Sequence, residues 1–217
     1  MNIISIGFGC QVSHNIEKFF GPKETNFFDW IITDFKSVLH ILKNINNEDL
    51  LIKSKFTNKD VFKNHDDYID HHFHKIECIE FKMISYHDLP INIDFIDSMD
   101  DFIEKYNRRL IRFKKFINSD ENLHMVHCLD HMCTEPYIVT KEDIFNFKKY
   151  LFEINPNNKC FLHILIPPKY NIALNDLVEE NVYVYNLKDM QYENVLVDWK
   201  NENFNWNKVF DNIKTIN

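Results

Sequence analysis

Near the start of this chain, two glycines bracket a phenylalanine and run directly into a cysteine, Gly7-Phe8-Gly9-Cys10. A cysteine that opens a helix meets the free amides and the positive dipole end of that helix, which favour its thiolate. The same amides can hold the oxyanion formed in acyl transfer. The pattern predicts a reactive Cys10 of depressed pKa, alkylated selectively at neutral pH. A buried structural thiol is the bland alternative, since unpaired cysteine is among the most buried residue types. The turn also matches the first two glycines of a dinucleotide fingerprint, but Val12 stands where the third belongs and no acidic residue ends a second strand at the required distance.

Two histidine clusters compete for attention. His65 to His74 (HDDYIDHHFH) contains the i,i+4 pairs Asp67/His71 and Asp70/His74. No cysteine spacing accompanies them, so a solvated polar segment is expected rather than a metal site. His124 to Cys133 (HMVHCLDHMC) reads as a strand entering a loop. Alternation sends Met125, His127 and Leu129 to one face and His124, Val126 and Cys128 to the other. Asp130, His131 and Cys133 follow at the carboxyl end, where open α/β sheets place their sites.

Rare residues sharpen these candidates. The chain has 27 Asn, 27 Ile and 22 Lys but one Ala, three Gly and three Arg, a bias toward AT-rich codons expected of a low-GC bacterium, a protozoan or a large DNA virus. Ordinary usage would supply about fifteen glycines; the three present, Gly7, Gly9 and Gly21, all lie in the first 21 residues. Such survivors mark positions of positive φ or close backbone approach. The three arginines, Arg108, Arg109 and Arg112, fall within five residues. A planar guanidinium persists where an ammonium cannot grip a carboxylate or stack.

The elements that must position these groups alternate. Asn2–Gly7, Leu123–Leu129, Cys160–Ile166 and Val182–Asn186 read as strands, and Cys78–Tyr86 as a looser one. Helices are predicted over Gln11–Phe20, Asp34–Asn46, Ser98–Ile117, Lys141–Ile154 and about Trp206–Ile213, the third with a capping-box-like start at Ser98 and Asp101. The expected fold is a single three-layer α/β domain, residues 1–217, with a largely parallel sheet, helices on both faces and a polar, His-rich insertion at about 48–75. A papain-like α+β arrangement is the alternative.

Composition excludes several classes. The net charge of −8 argues against an extended nucleic-acid or anionic-membrane surface. No apolar run approaches the roughly 18 residues of a membrane span, and no basic n-region opens the chain. Five cysteines without framework density imply reduced thiols and a cytoplasmic setting, the host cytoplasm for a viral protein.

The opening ISIGFGCQVSHNI followed by NFFDW resembles the putative papain-like cysteine peptidase family, a domain of unknown function of bacteria and large viruses. The features that carry the resemblance are Ser5-Ile6-Gly7 with Cys10, Phe28-Asp29-Trp30, His87-Asp88, and Tyr106 with Arg108, Arg109, Arg112 and Phe113. They span roughly residues 2 to 130. The resemblance implies a thiol peptidase with Cys10 as nucleophile and His87 as base. The strand directly before Cys10 is closer to the nucleophile turn of a doubly wound hydrolase.

Three functions follow. The first is a cysteine hydrolase or acyltransferase acting on a peptide, isopeptide, ester or thioester: Cys10 attacks, His87 takes the proton, and Asp29, preferred over Asp88, orients the imidazole. His131 is the rival base. Gly9, Gln11, Trp30, Asp88, Arg108 and Arg112 are the expected binding residues, with no metal and no cofactor. The second is a Rossmann-like module in which the turn, Arg108 and Arg112 hold a phosphate or nucleotide. The third is an inactive structural relative. Arg108 and Arg112, one turn apart on one helix face, are also expected to reach the Phe28-Asp29-Trp30 segment, where a buried Asp29 would need such a partner.

Overall fold

The computed structural model describes residues 2–7, 9–59, 73–86, 88–129, 137–166, 177, 179–186 and 206–216. Four parallel strands, β1 (Asn2–Ser5), β5 (Leu123–Cys128), β6 (Cys160–Ile166) and β7 (Val182–Asn186), lie side by side in that order. All six residues of β5 are buried, as a parallel strand covered on both faces requires. Its alternation sorts the core into two layers. Leu123 and Met125 pack on one face with side chains of α2 (Phe35–Lys43), α3 (Phe95–Ile117) and α4 (Lys141–Ile154). Val126 and Cys128 pack on the other, with Val12 and Ile16 of α1 (Gly9–Phe20) and Val209, Phe210 and Ile213 of α5 (Trp206–Ile216). The fold is therefore α/β, with helices on both faces of a parallel sheet.

Between β1 and β5 the chain adds a small antiparallel sheet, β2 (Phe56–Lys59), β3 (Lys75–Cys78) and β4 (Ile84–Ser85). This corrects the single strand expected over Cys78–Tyr86. The Cys78 amide donates to the Met83 carbonyl, closing a hairpin, and Ile84 exchanges both backbone bonds with Ile32. That second pairing ties the small sheet to the segment after Trp30.

Helix starts follow their caps. Thr140 and Asp143 form a reciprocal capping box for α4, and Asp34 accepts from the Ser37 amide to start α2. α3 begins at Phe95, not Ser98, because Asp94 accepts from the Ile96 and Asp97 amides. The Ser98 hydroxyl, one turn inside, donates back to the Asp94 carbonyl instead. α1 begins at Gly9 rather than Gln11, which places Cys10 within its first turn, and it ends at Gly21, whose φ of 90° is the left-handed stop that glycine permits. Among the described residues, no helix is long and apolar enough to cross a membrane.

Candidate active site

α1 leaves the carboxyl end of β1 through a turn that only a glycine fits. A Cβ on Gly7 would sit 2.1 Å from Nδ1 of His127, which is itself buried and stands edge-on to Phe35 at 5.1 Å. Close approach, rather than backbone conformation, is what Gly7 supplies. Cys10 follows three residues on, half-buried in the first turn of α1.

The charges around Cys10 come from three distant segments: Asp88, Asp29 and Arg109. Burial, and after it the Asp88 charge, push the thiol up to about 12; its own helix-start amide and Arg109 pull the other way and are outweighed. This corrects the depressed pKa expected for Cys10. The local helix effect is present, but desolvation of a thiolate beside two carboxylates is larger. Alkylation of Cys10 by iodoacetamide should accordingly be slow at pH 7 and rise about tenfold per pH unit up to pH 9.5, following the thiolate fraction. Mass spectrometry of pH-resolved labelling reads this, and a plateau below pH 8 would show a resting thiolate.

Asp29 is fully buried, and its carboxylate is occupied on every side. Oδ1 accepts from Ser5 Oγ (2.8 Å) and Asn26 Nδ2 (2.9 Å), and Oδ2 accepts from the Asn26 amide (2.8 Å) and Lys23 Nζ (2.5 Å). A carboxylate offers about four acceptor positions, so none remains to orient an imidazole. The arginine pairing expected for Asp29 is replaced by Lys23. Trp30 follows in the left-handed region at φ 68°, a conformation that costs a non-glycine residue of order 1 kcal/mol and collects at functional sites.

The arginine helix does reach this segment, though not as expected. The buried stripe of α3 runs Phe102, Tyr106, Arg109, Phe113. Phe28 meets Phe113 edge-on at 5.0 Å, and Phe27 meets Tyr106 at 5.9 Å. Arg109, on that stripe and 7% exposed, donates to the Asp29 carbonyl oxygen at 3.1 Å. Arg112 donates to the Thr25 carbonyl. Arg108, one position off the stripe, points to solvent and pairs with Glu104 a turn back. Arg108 thus faces solvent and Arg112 is engaged by the Thr25 carbonyl, and neither pairs with the Asp29 carboxylate. Arg109 carries a signal in the sequence itself, lying three residues after Tyr106 and four before Phe113 on the apolar stripe.

Asp88 is the second carboxylate near Cys10, its side chain 5% exposed. Burial would raise it, but hydrogen bonds from Lys105 and Ser85 and the Lys105 charge outweigh that and hold it below the usual range. Tyr106 Oη also donates to it at 2.7 Å, and burial together with the Asp88 charge keeps that phenol protonated. Gln11, 1% exposed and next to Cys10, has no hydrogen-bond partner on either amide atom. Unpaired buried amides are costly, which sets Gln11 apart from Asp29, Asp88 and Arg109, the charged side chains around Cys10.

His87, Asp130, His131 and Cys133 lie outside the described residues, as do His65 to His72. His74 is engaged by Asn58 and the Ile93 carbonyl, each at 3.0 Å. No group of metal-ligating side chains occurs among the described residues.

Residues 1–155 match the model of a family described as "Putative papain-like cysteine peptidase (DUF1796)". No curated protein and no solved structure matches the chain.

Proposed function

The chain belongs to the putative papain-like cysteine peptidase family, and from that premise we propose that it is a cysteine-dependent acyl hydrolase with Cys10 as its nucleophile. The observation that carries the reading is Cys10 in the first turn of α1, half-exposed, with Arg109 and the unpartnered Gln11 amide around it. The resting thiol is neutral, so this chemistry needs a base in the attacking step rather than a standing ion pair.

His87 is the proposed base. It takes the Sγ proton as the S–C bond forms; the oxyanion faces the amides at the start of α1 and the Gln11 carboxamide. The imidazolium then protonates the departing amine or alkoxide, and water cleaves the thioester to release the acid and the thiol. Asp88, bonded to Lys105, Ser85 and Tyr106 but with acceptor capacity left on Oδ1, is better placed to hold an imidazole than the saturated Asp29. Asp29, with Trp30, frames the site. The substrate is a peptide, isopeptide or ester; transfer to another acceptor in place of water, an absence of cofactors and a cytoplasmic location belong to the same proposal.

Incubation with p-nitrophenyl acetate tests it. The expected result is release of p-nitrophenolate with an acetyl group on Cys10, lost in Cys10→Ala and slowed at least a hundredfold in His87→Ala, within the range of general-base contributions. Unchanged turnover in Cys10→Ala, or no adduct on Cys10, would sink the hydrolase and leave an inactive relative.

A further inference from the structure

Buried guanidinium groups ordinarily face a carboxylate, because an uncompensated charge out of water is costly. Arg109 does not. It is 7% exposed, donates one hydrogen bond, to the Asp29 carbonyl oxygen, and lies 4.9 Å from the centroid of the Tyr106 ring. Its remaining N–H donors have no acceptor among the described residues. Both carboxylates of the site are held by other cations, Asp29 by Lys23 and Asp88 by Lys105. The fork is therefore fixed by the ring beside it and the carbonyl before it, positively charged, and short of an anion.

That fork belongs to the nucleophile's surroundings. Its anchor, Asp29, is bonded to Ser5 at the end of β1, and β1 leads through the Gly7 turn into Cys10. The guanidinium charge is felt at the Cys10 thiol. A lysine would supply charge at this place but neither the planar stack nor a two-pronged grip, and arginine is retained here in a chain that uses lysine almost everywhere.

We propose that Arg109 is the anion-recognising residue of the Cys10 site, so that the substrates carry a carboxylate next to the acyl group that Cys10 attacks. The proposal rests on Cys10 being the nucleophile. Bound substrate completes the ion pair that the folded chain leaves open. A neutral acyl compound of the same shape would leave the guanidinium unpaired and be rejected. The carboxylate can come from an acidic side chain or from a chain terminus, which have the same chemistry.

Alkylation of Cys10 at pH 8.5 with iodoacetate and with iodoacetamide, which differ only in carboxylate against carboxamide, reads this directly. The ratio of the two rate constants should fall about tenfold in Arg109→Gln, the worth of one charge-assisted hydrogen bond, and partly recover in Arg109→Lys. The native protein gives a second measurement that does not depend on the fold of Arg109→Gln. N-acetylglutamate α-amide or N-acetylglutamine should protect Cys10 from iodoacetamide, whereas N-acetylglutaminamide should not. Protection by the first assigns a side-chain carboxylate, and by the second a terminal one. An unchanged ratio in a folded variant, or equal protection by the neutral diamide, would overturn the role of Arg109 while leaving Cys10 as the nucleophile. If Cys10 takes up neither reagent, the nucleophile assignment falls and this proposal with it.

Discussion

Asp29→Ala is expected to lower the unfolding free energy by about 3–5 kcal/mol, the cost of breaking a buried ion pair from one side. The substitution strands four donors at once: Ser5 Oγ, both Asn26 nitrogens and Lys23 Nζ. Lys23 suffers most, since its side chain is 15% exposed and Asp29 is its partner. Asp29→Asn should cost less, because it keeps one acceptor oxygen while turning an NH2 toward donors that cannot accept it. Urea unfolding with an unchanged m-value measures both. If Asp29→Ala unfolds within about 1 kcal/mol of the parent, well short of that penalty, the carboxylate does not anchor this segment.

Gly7→Ala should cost about 1–3 kcal/mol through overpacking. The new methyl would lie 2.1 Å from His127 Nδ1 and 2.4 Å from Cε1, and the ring is held between the turn and Phe35. Removing the ring should relieve the clash: Gly7→Ala combined with His127→Ala should be more stable than the sum of the two single losses by about 1 kcal/mol or more, as contacting residues couple. The double variant should also recover the pH dependence of Cys10 labelling, since the displaced turn carries Cys10. Simple additivity would mean the imidazole swings aside and the glycine is there for another reason.

What could be read along the chain was local. Lys141–Ile154, Cys160–Ile166 and Val182–Asn186 stand where periodicity put them, because each is specified by its own neighbours in sequence. The α/β class followed from their alternation, and family membership from the motifs around Cys10, Asp29 and Arg109. The small sheet was not legible, because Ile84–Ser85 is a strand only through its partners Ile76–Glu77 and Ile32. The start of α3 depended on which of two acidic or hydroxyl residues faced free amides, and Asp94 did.

The chemistry of the site divides the same way. The residue types themselves, a cysteine opening a helix and arginine kept among lysines, marked Cys10 and the α3 cluster. Three questions depended on tertiary structure: which arginine turns inward, which cation holds Asp29, and whether the Cys10 thiol is lowered or raised. A helix start acts on its own first turn and is visible in sequence. Burial and the charge of Asp88 act through space, between segments far apart in the chain, and at Cys10 they are the larger effect.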